Sequence, residues 1–141
     1  MKLVVPDASV LLKWVLPEER EPHAAQAIAI RDAFMAGRIR LVVPSLWFYE
    51  AGNVLVAHYP DSAAERFAAL AAFRLPEARS TSAWRERIVT LTAGRGVRFY
   101  DASYHALAAM LGGVFVTADE KYLRRAGPDS HLLNLANWPV R

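Results

Sequence analysis

The sequence predicts an α/β fold in which a parallel sheet of short strands is covered by helices on both faces. Two observations lead to this prediction: short, continuously apolar, β-branched runs recur along the chain, and longer segments with helical spacing separate them. The length of 141 residues predicts one domain over residues 1–141. A hydrophobic content of 54% with 22% charged residues excludes a disordered chain, and the absence of cysteine excludes disulfides and thiolate metal sites.

The N-terminal half of the chain is predicted to contain two strands and four helices. Pro17 ends the first helix, Pro22 occupies a first-turn position of the second, and Gly37 closes it. Ser45 is a suitable N-cap for the third helix. The predicted strands are 3–6 and 40–44, and the predicted helices are 8–16, 22–36, 46–58 and 63–73.

The C-terminal half alternates in the same way, after an ambiguous segment, 75–80, that allows a weak third strand. Thr81 or Ser82 caps the next helix, and Asp101 and Asp119 are placed to cap the two after it. The predicted helices are 83–93, 102–111 and 120–125, and the predicted strands are 114–117 and 131–135. No apolar stretch reaches the ~20 residues that span a bilayer, and no signal peptide is recognised, so we expect a cytoplasmic protein.

Three aspartates lie where ligands bind in open α/β sheets, at the carboxyl ends of the strands. Asp7 directly follows the first strand, and Asp119 comes two residues after a predicted strand. Asp101 opens the helix that leads into that same strand. Each also has a structural interpretation, because aspartate is among the best N-cap residues and is worth about 1 kcal/mol over alanine there. Taken singly, each aspartate is explained equally by capping or by function.

Glu50 lies too far inside the strongly apolar helix 46–58 to act as a cap. Buried glutamate is rare unless it is paired or binds a metal. One alternative is that Glu50 lies on the solvent-facing side of the helix. Another is that the aromatic residues just before it, Trp47 to Tyr49, belong to an oligomer interface. The apolar setting favours a functional interpretation of Glu50.

The four carboxylates predict a metal site if they converge. Like charges about 4 Å apart repel by about 4 kcal/mol at an effective dielectric constant of about 20, so such a cluster requires protonation or a bound cation. Oxygen ligands without His or Cys suit Mg²⁺ or Mn²⁺ rather than zinc. Such metals activate water and neutralise the leaving oxygen of a phosphodiester, and a net charge of +3 suits a polyanionic substrate.

Four segments, in order along the chain, also carry a resemblance to a known family. They are Val4–Trp14, Pro44–Leu55, Tyr100–Ala108 and Thr117–Tyr122. Together, over essentially the whole chain, they resemble the motifs of the PIN-domain ribonucleases, and most closely those of the VapC toxins of toxin–antitoxin pairs. Two positions depart from the pattern: His105 stands where an aliphatic or aromatic residue is more usual, and Tyr122 where Phe or Leu is common.

The resemblance implies a PIN-like three-layer α/β/α sandwich with a central parallel sheet in the strand order 3-2-1-4-5. It implies a Mg²⁺-dependent endoribonuclease, with Mn²⁺ as a substitute metal, that hydrolyses RNA to leave a 3′-hydroxyl and a 5′-phosphate. The catalytic and metal-binding carboxylates would be Asp7, Glu50, Asp101 and Asp119. The supporting residues would be Ser9, Asn53 and Thr117. Local hydrogen bonding to the backbone is an equal alternative for these three.

The resemblance further implies the partners of the protein. It implies RNA as the substrate, a homodimer, and a VapB-like antitoxin whose C-terminal segment lies in a groove of the toxin; no membrane association is expected. Basic residues in or near the last two motifs are candidates for contact with RNA phosphates, although solvated helix-end charges are the commoner case. They are Arg95, Arg98, Lys121, Arg124 and Arg125.

The residues argue against two other functions and leave a third as an alternative. A signalling receiver domain would need an acidic pair after the first strand and a lysine after the last strand, and neither is present. A haloacid-dehalogenase-like phosphatase would need a second aspartate two residues after Asp7, where Ser9 stands. A non-catalytic PIN-like scaffold that binds RNA or protein remains the alternative to an enzyme, because a sequence does not demonstrate turnover.

Overall fold

A four-stranded parallel sheet forms the centre of the computed structural model, which describes residues 1–140. The strands are β1 (Lys2–Pro6), β2 (Ile39–Leu41), β3 (Val114–Thr117) and β4 (Leu132–Asn134). They are arranged in the order β2-β1-β3-β4. In the register of the two central strands, Val5 lies opposite Phe115.

Residues 1–140 also contain seven α-helices and three short 3₁₀ segments. The helices are α1 (Ala8–Leu11), α2 (Ala24–Met35), α3 (Leu46–His58), α4 (Ala63–Ala71), α5 (Ser82–Arg95), α6 (Phe99–Leu111) and α7 (Glu120–Ala126). The 3₁₀ segments are Leu12–Trp14, Glu18–Arg20 and Leu135–Asn137. Within this described part of the chain, no helix combines the length and the apolar character needed to cross a membrane.

The sheet divides the interior into two apolar cores. Val4 and Val116 face a core that packs against α1, α2, α3 and α4. Their neighbours Val5 and Phe115 face a second core that packs against α5, α6 and α7. Successive residues of a strand point to opposite faces of the sheet, so a strand buried on both sides is apolar at every position. The predicted α/β fold with helices on both faces of a parallel sheet is confirmed.

The sheet has four strands where five were expected. The segment predicted as a weak third strand contributes one parallel bridge, between Val43 and Glu77. Val43 N–H donates to the Pro76 carbonyl at 2.9 Å, and Ala78 N–H donates to the Val43 carbonyl at 2.9 Å. Pairing stops there because Ser45, the next residue whose backbone would face this segment, is already the N-cap of α3. The other four strands keep the predicted relative order.

Two helix starts differ from the sequence prediction. α6 begins at Phe99, earlier than expected, so Asp101 lies inside its first turn and Arg98 is the N-cap. α2 begins at Ala24, because the backbone of His23 before it is left-handed, with φ 59°. The prediction that Asp101 caps its helix is therefore wrong, and capping does not explain this carboxylate.

Candidate functional site

A cleft of about 750 Å³ opens at the carboxyl end of the sheet, and the four predicted carboxylates all line it. Asp7 directly follows β1, and Asp119 lies two residues after β3. Asp101 projects from the first turn of α6, and Glu50 comes from the middle of α3. Because parallel strands end at the same edge of a sheet, residues far apart in the sequence meet at this cleft.

Asp7 is held by hydroxyl groups on both of its carboxylate oxygens. Ser9 Oγ donates to Oδ1 at 2.5 Å, and Thr117 Oγ1 donates to Oδ2 at 2.6 Å. Val10 N–H also donates to Oδ1, at 3.3 Å, so Asp7 caps α1. The pKa of Asp7 is raised to about 6, chiefly because burial disfavours its charged form; the charge of Glu50 adds to this, and the hydroxyl groups oppose it.

Ser9 and Thr117 join Asp7 to the residues that follow β3. Ser9 Oγ accepts the N–H of Ala118 at 3.2 Å, and Thr117 Oγ1 accepts the N–H of Asp119 at 3.0 Å. Each hydroxyl therefore donates to a carboxylate and accepts from a backbone amide. Ser9 and Thr117 therefore make both the contact with Asp7 and the backbone hydrogen bond that were alternatives for them; their supporting role in function stays a prediction.

Glu50 is held by a tyrosine that sequence analysis did not single out. Tyr104 Oη donates to Glu50 Oε1 at 2.6 Å, and its buried ring stacks on Phe115 with the ring centroids 5.6 Å apart. The pKa of Glu50 is raised first by burial and then by the charge of Asp101, while the Tyr104 hydrogen bond opposes the rise. Tyr104 follows Asp101 by three residues on α6, and this spacing is the signal that would have identified it.

Asp101 and Asp119 come from the ends of two other helices. The pKa of Asp101 is raised by burial and then by the charge of Asp119, while the charge of Arg98 lowers it. Arg98 Nε lies 4.0 Å from Asp101 Oδ2, and the Arg98 side chain is 85% exposed. Asp119 Oδ1 accepts the N–H of Tyr122 at 3.1 Å and so caps α7, as the sequence predicts.

The metal cluster expected from the sequence is not assembled in this arrangement. Within residues 1–140, no group of three or more His, Asp or Glu side chains is placed to hold a metal ion. Mutual repulsion opposes a closer approach of the carboxylates, and hydroxyl groups hold Asp7 and Glu50 in their present positions. The donor set nevertheless suits Mg²⁺ or Mn²⁺ in kind, because its members are all carboxylate oxygens.

Cationic side chains lie in and beside the cleft. Lys13 is buried, and its Nζ pairs with Glu21 Oε1 at 3.2 Å; both residues line the cleft. Arg98 lines the cleft and also a smaller adjoining cavity of about 210 Å³, together with Lys121 and Arg125. Positive charge therefore lies close to the carboxylates. Lys13 and Glu21 belong to no pattern that the sequence alone connects with the carboxylates.

The remaining basic candidates make contacts within the protein. Arg95 pairs with Asp129 at 2.9 Å, and Arg124 approaches Glu120 to 3.9 Å on the same helix. Arg125 also donates to a backbone carbonyl in the turn after α5, at 3.1 Å. Arg98 and Lys121 are the two of the five basic residues that differ. Both are exposed and line the cavity beside the carboxylates, and within residues 1–140 neither side chain contacts the backbone or pairs with a distant carboxylate.

Asn53, which was expected to support Glu50, is exposed and is not among the residues that line the cleft. α3 instead directs Val54 and His58 into the cleft beside Glu50. Viewed down the helix axis, Val54, four residues after Glu50, lies about 40° from it, whereas Asn53, three residues after it, lies about 60° from it in the opposite direction. The small difference in angle places Asn53 on the solvent side.

Comparisons with known proteins agree with this architecture. A family model described as the PIN domain matches residues 4–128. The crystal structure of PAE2754 from Pyrobaculum aerophilum is similar to this fold, with a TM-score of 0.68 and 23% sequence identity over 96% of this chain and 90% of that chain. No curated protein matches the sequence significantly. The family model spans most of the chain and includes all four carboxylates, so the protein belongs to the PIN-domain family.

Proposed function

We propose that the protein is a Mg²⁺-dependent endoribonuclease and the toxin of a type II toxin–antitoxin pair. PIN domains are generally nucleases. The observation that supports a catalytic role in this protein is the single cleft lined by Asp7, Glu50, Asp101 and Asp119. The toxin role is supported by the four sequence segments that resemble VapC toxins.

The four carboxylates are the residues that would hold the metal ion. Bound there, Mg²⁺ or Mn²⁺ supplies an activated water and neutralises charge on the departing oxygen. Asp7 is the most firmly oriented donor, because the hydroxyl groups of Ser9 and Thr117 hold both of its oxygens. Glu50 lies beside the other carboxylates and would be suited to take a proton from the attacking water. Because Tyr104 donates to Glu50 Oε1, Oε2 is the oxygen that would accept it.

Cations beside the carboxylates support a polyanionic substrate. Arg98 is held to Asp101 only across 4.0 Å and is mostly exposed, so it can exchange that contact for a phosphate. Lys121 lines the adjoining cavity with Arg98. An RNA strand that crosses the cleft would bring successive phosphates to these side chains, and such contacts supply most of the sequence-independent affinity for nucleic acid.

Hydrolysis of RNA by the purified protein tests the catalytic proposal. We expect cleavage with Mg²⁺ or Mn²⁺ and none with EDTA. Asp7→Asn and Asp101→Asn should lower the rate by about 100-fold or more while the circular dichroism spectrum stays that of the folded protein. Asp32→Asn, which changes an exposed carboxylate on α2, is the matched control and should retain the rate. A wild-type protein that cleaves no cellular RNA under these conditions would exclude the nuclease.

The toxin role also predicts two protein partners. α3 exposes the apolar side chains of Phe48, Tyr49 and Val56, and we propose that a second copy of the chain and a VapB-like antitoxin cover apolar surface of this kind. Light scattering after size-exclusion chromatography should show a dimer. Co-expression with the product of a small adjacent reading frame should give a complex that no longer cleaves RNA; an uncomplexed, fully active protein would contradict the toxin role.

A non-catalytic PIN-like scaffold that binds RNA or protein is the second candidate. It is favoured by the absence, within residues 1–140, of three side chains already placed to hold a metal ion. A scaffold predicts RNA binding without hydrolysis and no change in melting temperature on addition of Mn²⁺. The enzyme predicts that Mn²⁺ raises the melting temperature of the wild type but not that of Asp7→Asn.

A further inference from the structure

The two residues at which the sequence departs from the PIN motifs are both polar, and they contact each other in the interior. His105 on α6 and Tyr122 on α7 are 1% and 3% exposed, and His105 Nδ1 lies 2.7 Å from Tyr122 Oη. The two departures from the family pattern are thus partners of each other. A hydrogen bond therefore joins α6 to α7 inside the second core.

This hydrogen bond links the two helices that carry Asp101 and Asp119. Asp101 lies one turn before His105 on α6. Tyr122 N–H donates to Asp119 Oδ1 at 3.1 Å, so Tyr122 contacts Asp119 through its backbone and α6 through its hydroxyl. A shift of Tyr122 relative to His105 therefore changes the separation of the two carboxylates.

A network on the far side of α6 fixes His105 in turn. His105 Nε2 lies 3.5 Å from Asp129 Oδ2, and Arg95 pairs with the same oxygen at 2.9 Å. His131 N–H donates to Asp129 Oδ1 at 2.7 Å. Arg95 also donates to the carbonyl of Ala126, the last residue of α7. Because Nε2 faces a carboxylate, it carries the imidazole hydrogen, and Nδ1 accepts from the tyrosine hydroxyl. α7 is thus fastened at both of its ends.

We infer that His105 and Tyr122 are positioning residues that set the separation of Asp101 and Asp119, and thereby the affinity of the cleft for a divalent metal ion. Neither side chain lines the main cleft, and Tyr122 lines only the smaller adjoining cavity. Because the Tyr122 hydroxyl is engaged by buried His105, we assign both residues a role through the helices rather than on a ligand. The part of the inference that concerns the metal rests on the proposed function; the part that concerns the position of Asp119 does not.

Titration calorimetry of the purified protein with Mn²⁺ tests the effect on metal affinity. Tyr122→Phe leaves His105 Nδ1 buried without its partner, and we expect the Kd for Mn²⁺ to rise about 10-fold, as for loss of a group that orients a metal ligand. The double variant His105→Leu/Tyr122→Phe lacks the same hydrogen bond, and we expect it to raise the Kd by a similar factor and no further, because both substitutions remove one shared interaction.

Trp14→Phe is the matched control for a general loss of stability. Trp14 Nε1 donates to the Ala27 carbonyl at 2.9 Å in the other core, far from α6 and α7 in the packing of the protein. This variant also loses a buried hydrogen bond, but its Kd for Mn²⁺ should equal that of the wild type. If Tyr122→Phe binds Mn²⁺ as tightly as Trp14→Phe does, the His105–Tyr122 pair serves packing alone and the inference is wrong.

Amide hydrogen exchange in the metal-free protein separates this inference from the proposed function. In Tyr122→Phe, the amide of residue 122, which donates to Asp119, should exchange about 10-fold faster. The amide of Val10, which donates to Asp7, should exchange at an unchanged rate. If the wild type binds no Mn²⁺ but this selective change occurs, the metal site fails and the positioning role stands. An unchanged rate at residue 122 overturns the positioning role.

Discussion

The buried charge of Asp7 predicts that Asp7→Asn stabilises the metal-free protein at neutral pH. The pKa of Asp7 is about 6 in the folded state, against an ordinary value of 3.8. The folded state therefore binds the proton more tightly than the unfolded state, so the free energy of unfolding falls as the pH rises from about 4 to about 6 and stays lower above that range. At about 1.36 kcal/mol per pKa unit, the fall is about 3 kcal/mol.

The free energy of unfolding of Asp7→Asn should not show this decrease, because asparagine carries no charge at any of these pH values. Its amide keeps one acceptor for Ser9 or Thr117 but turns an NH₂ group toward the other hydroxyl, which costs about 1 kcal/mol at every pH. We therefore expect the variant to be less stable than the wild type by about 1 kcal/mol at about pH 3, below both pKa values. At about pH 7.5 it should be more stable by about 2 kcal/mol.

Urea denaturation with EDTA, followed by tryptophan fluorescence, measures both values. The informative quantity is the difference between variant and wild type, because titrations that both proteins share, such as that of His105, cancel in it. The control Asp32→Asn alters an exposed carboxylate and should show no such dependence on pH. A difference between Asp7→Asn and wild type that is equal at both pH values would refute the reasoning, since Asp7 would then ionise as readily in the folded state as in the unfolded one.

Other contacts predict measurable effects of single substitutions. Tyr104→Phe removes the hydroxyl that holds Glu50, so kcat for a fluorogenic RNA should fall about 10-fold with a smaller change in KM; an unchanged kcat would show that Glu50 needs no such support. Gly113→Ala should lower the free energy of unfolding by about 2 kcal/mol or more in urea, because the added Cβ would lie 2.5 Å from the Leu3 carbonyl oxygen. Arg98→Gln should weaken RNA binding and reduce the slope of log K against log salt by about 1; an unaltered slope would remove Arg98 from the RNA contacts.

The sequence predicts the two central strands because both of their faces are buried, but it does not predict how many backbone pairs an edge strand forms. Residues 3–6 and 114–117 form continuous apolar runs because both faces of β1 and β3 are buried. The local composition alone therefore indicates these strands. The third strand depends instead on how many backbone pairs form beside β2. The start of α3 directly after Ser45 limits that number to one bridge.

At the site, positions set by the backbone were predictable and contacts between side chains were not. Asp7 and Asp119 follow strands that end at one edge of the sheet, so topology alone brings them to one cleft. The hydrogen bond from Tyr104 to Glu50 joins residues 54 positions apart, and no local pattern encodes it. The side of α3 that Asn53 occupies depends on the exact rotation of the helix, which hydrophobic periodicity defines only coarsely.

The cleft lies where the two helical layers on opposite faces of the sheet meet. Glu50 is carried by a helix of one layer, and Asp101 and Tyr104 by a helix of the other. The distance between these carboxylates thus depends on the relative position of the two layers, which the buried Tyr104 hydroxyl links through its hydrogen bond to Glu50. Substitutions deep within either layer should therefore change the spacing of these carboxylates, and with it the proposed hydrolysis, without replacing any residue of the cleft.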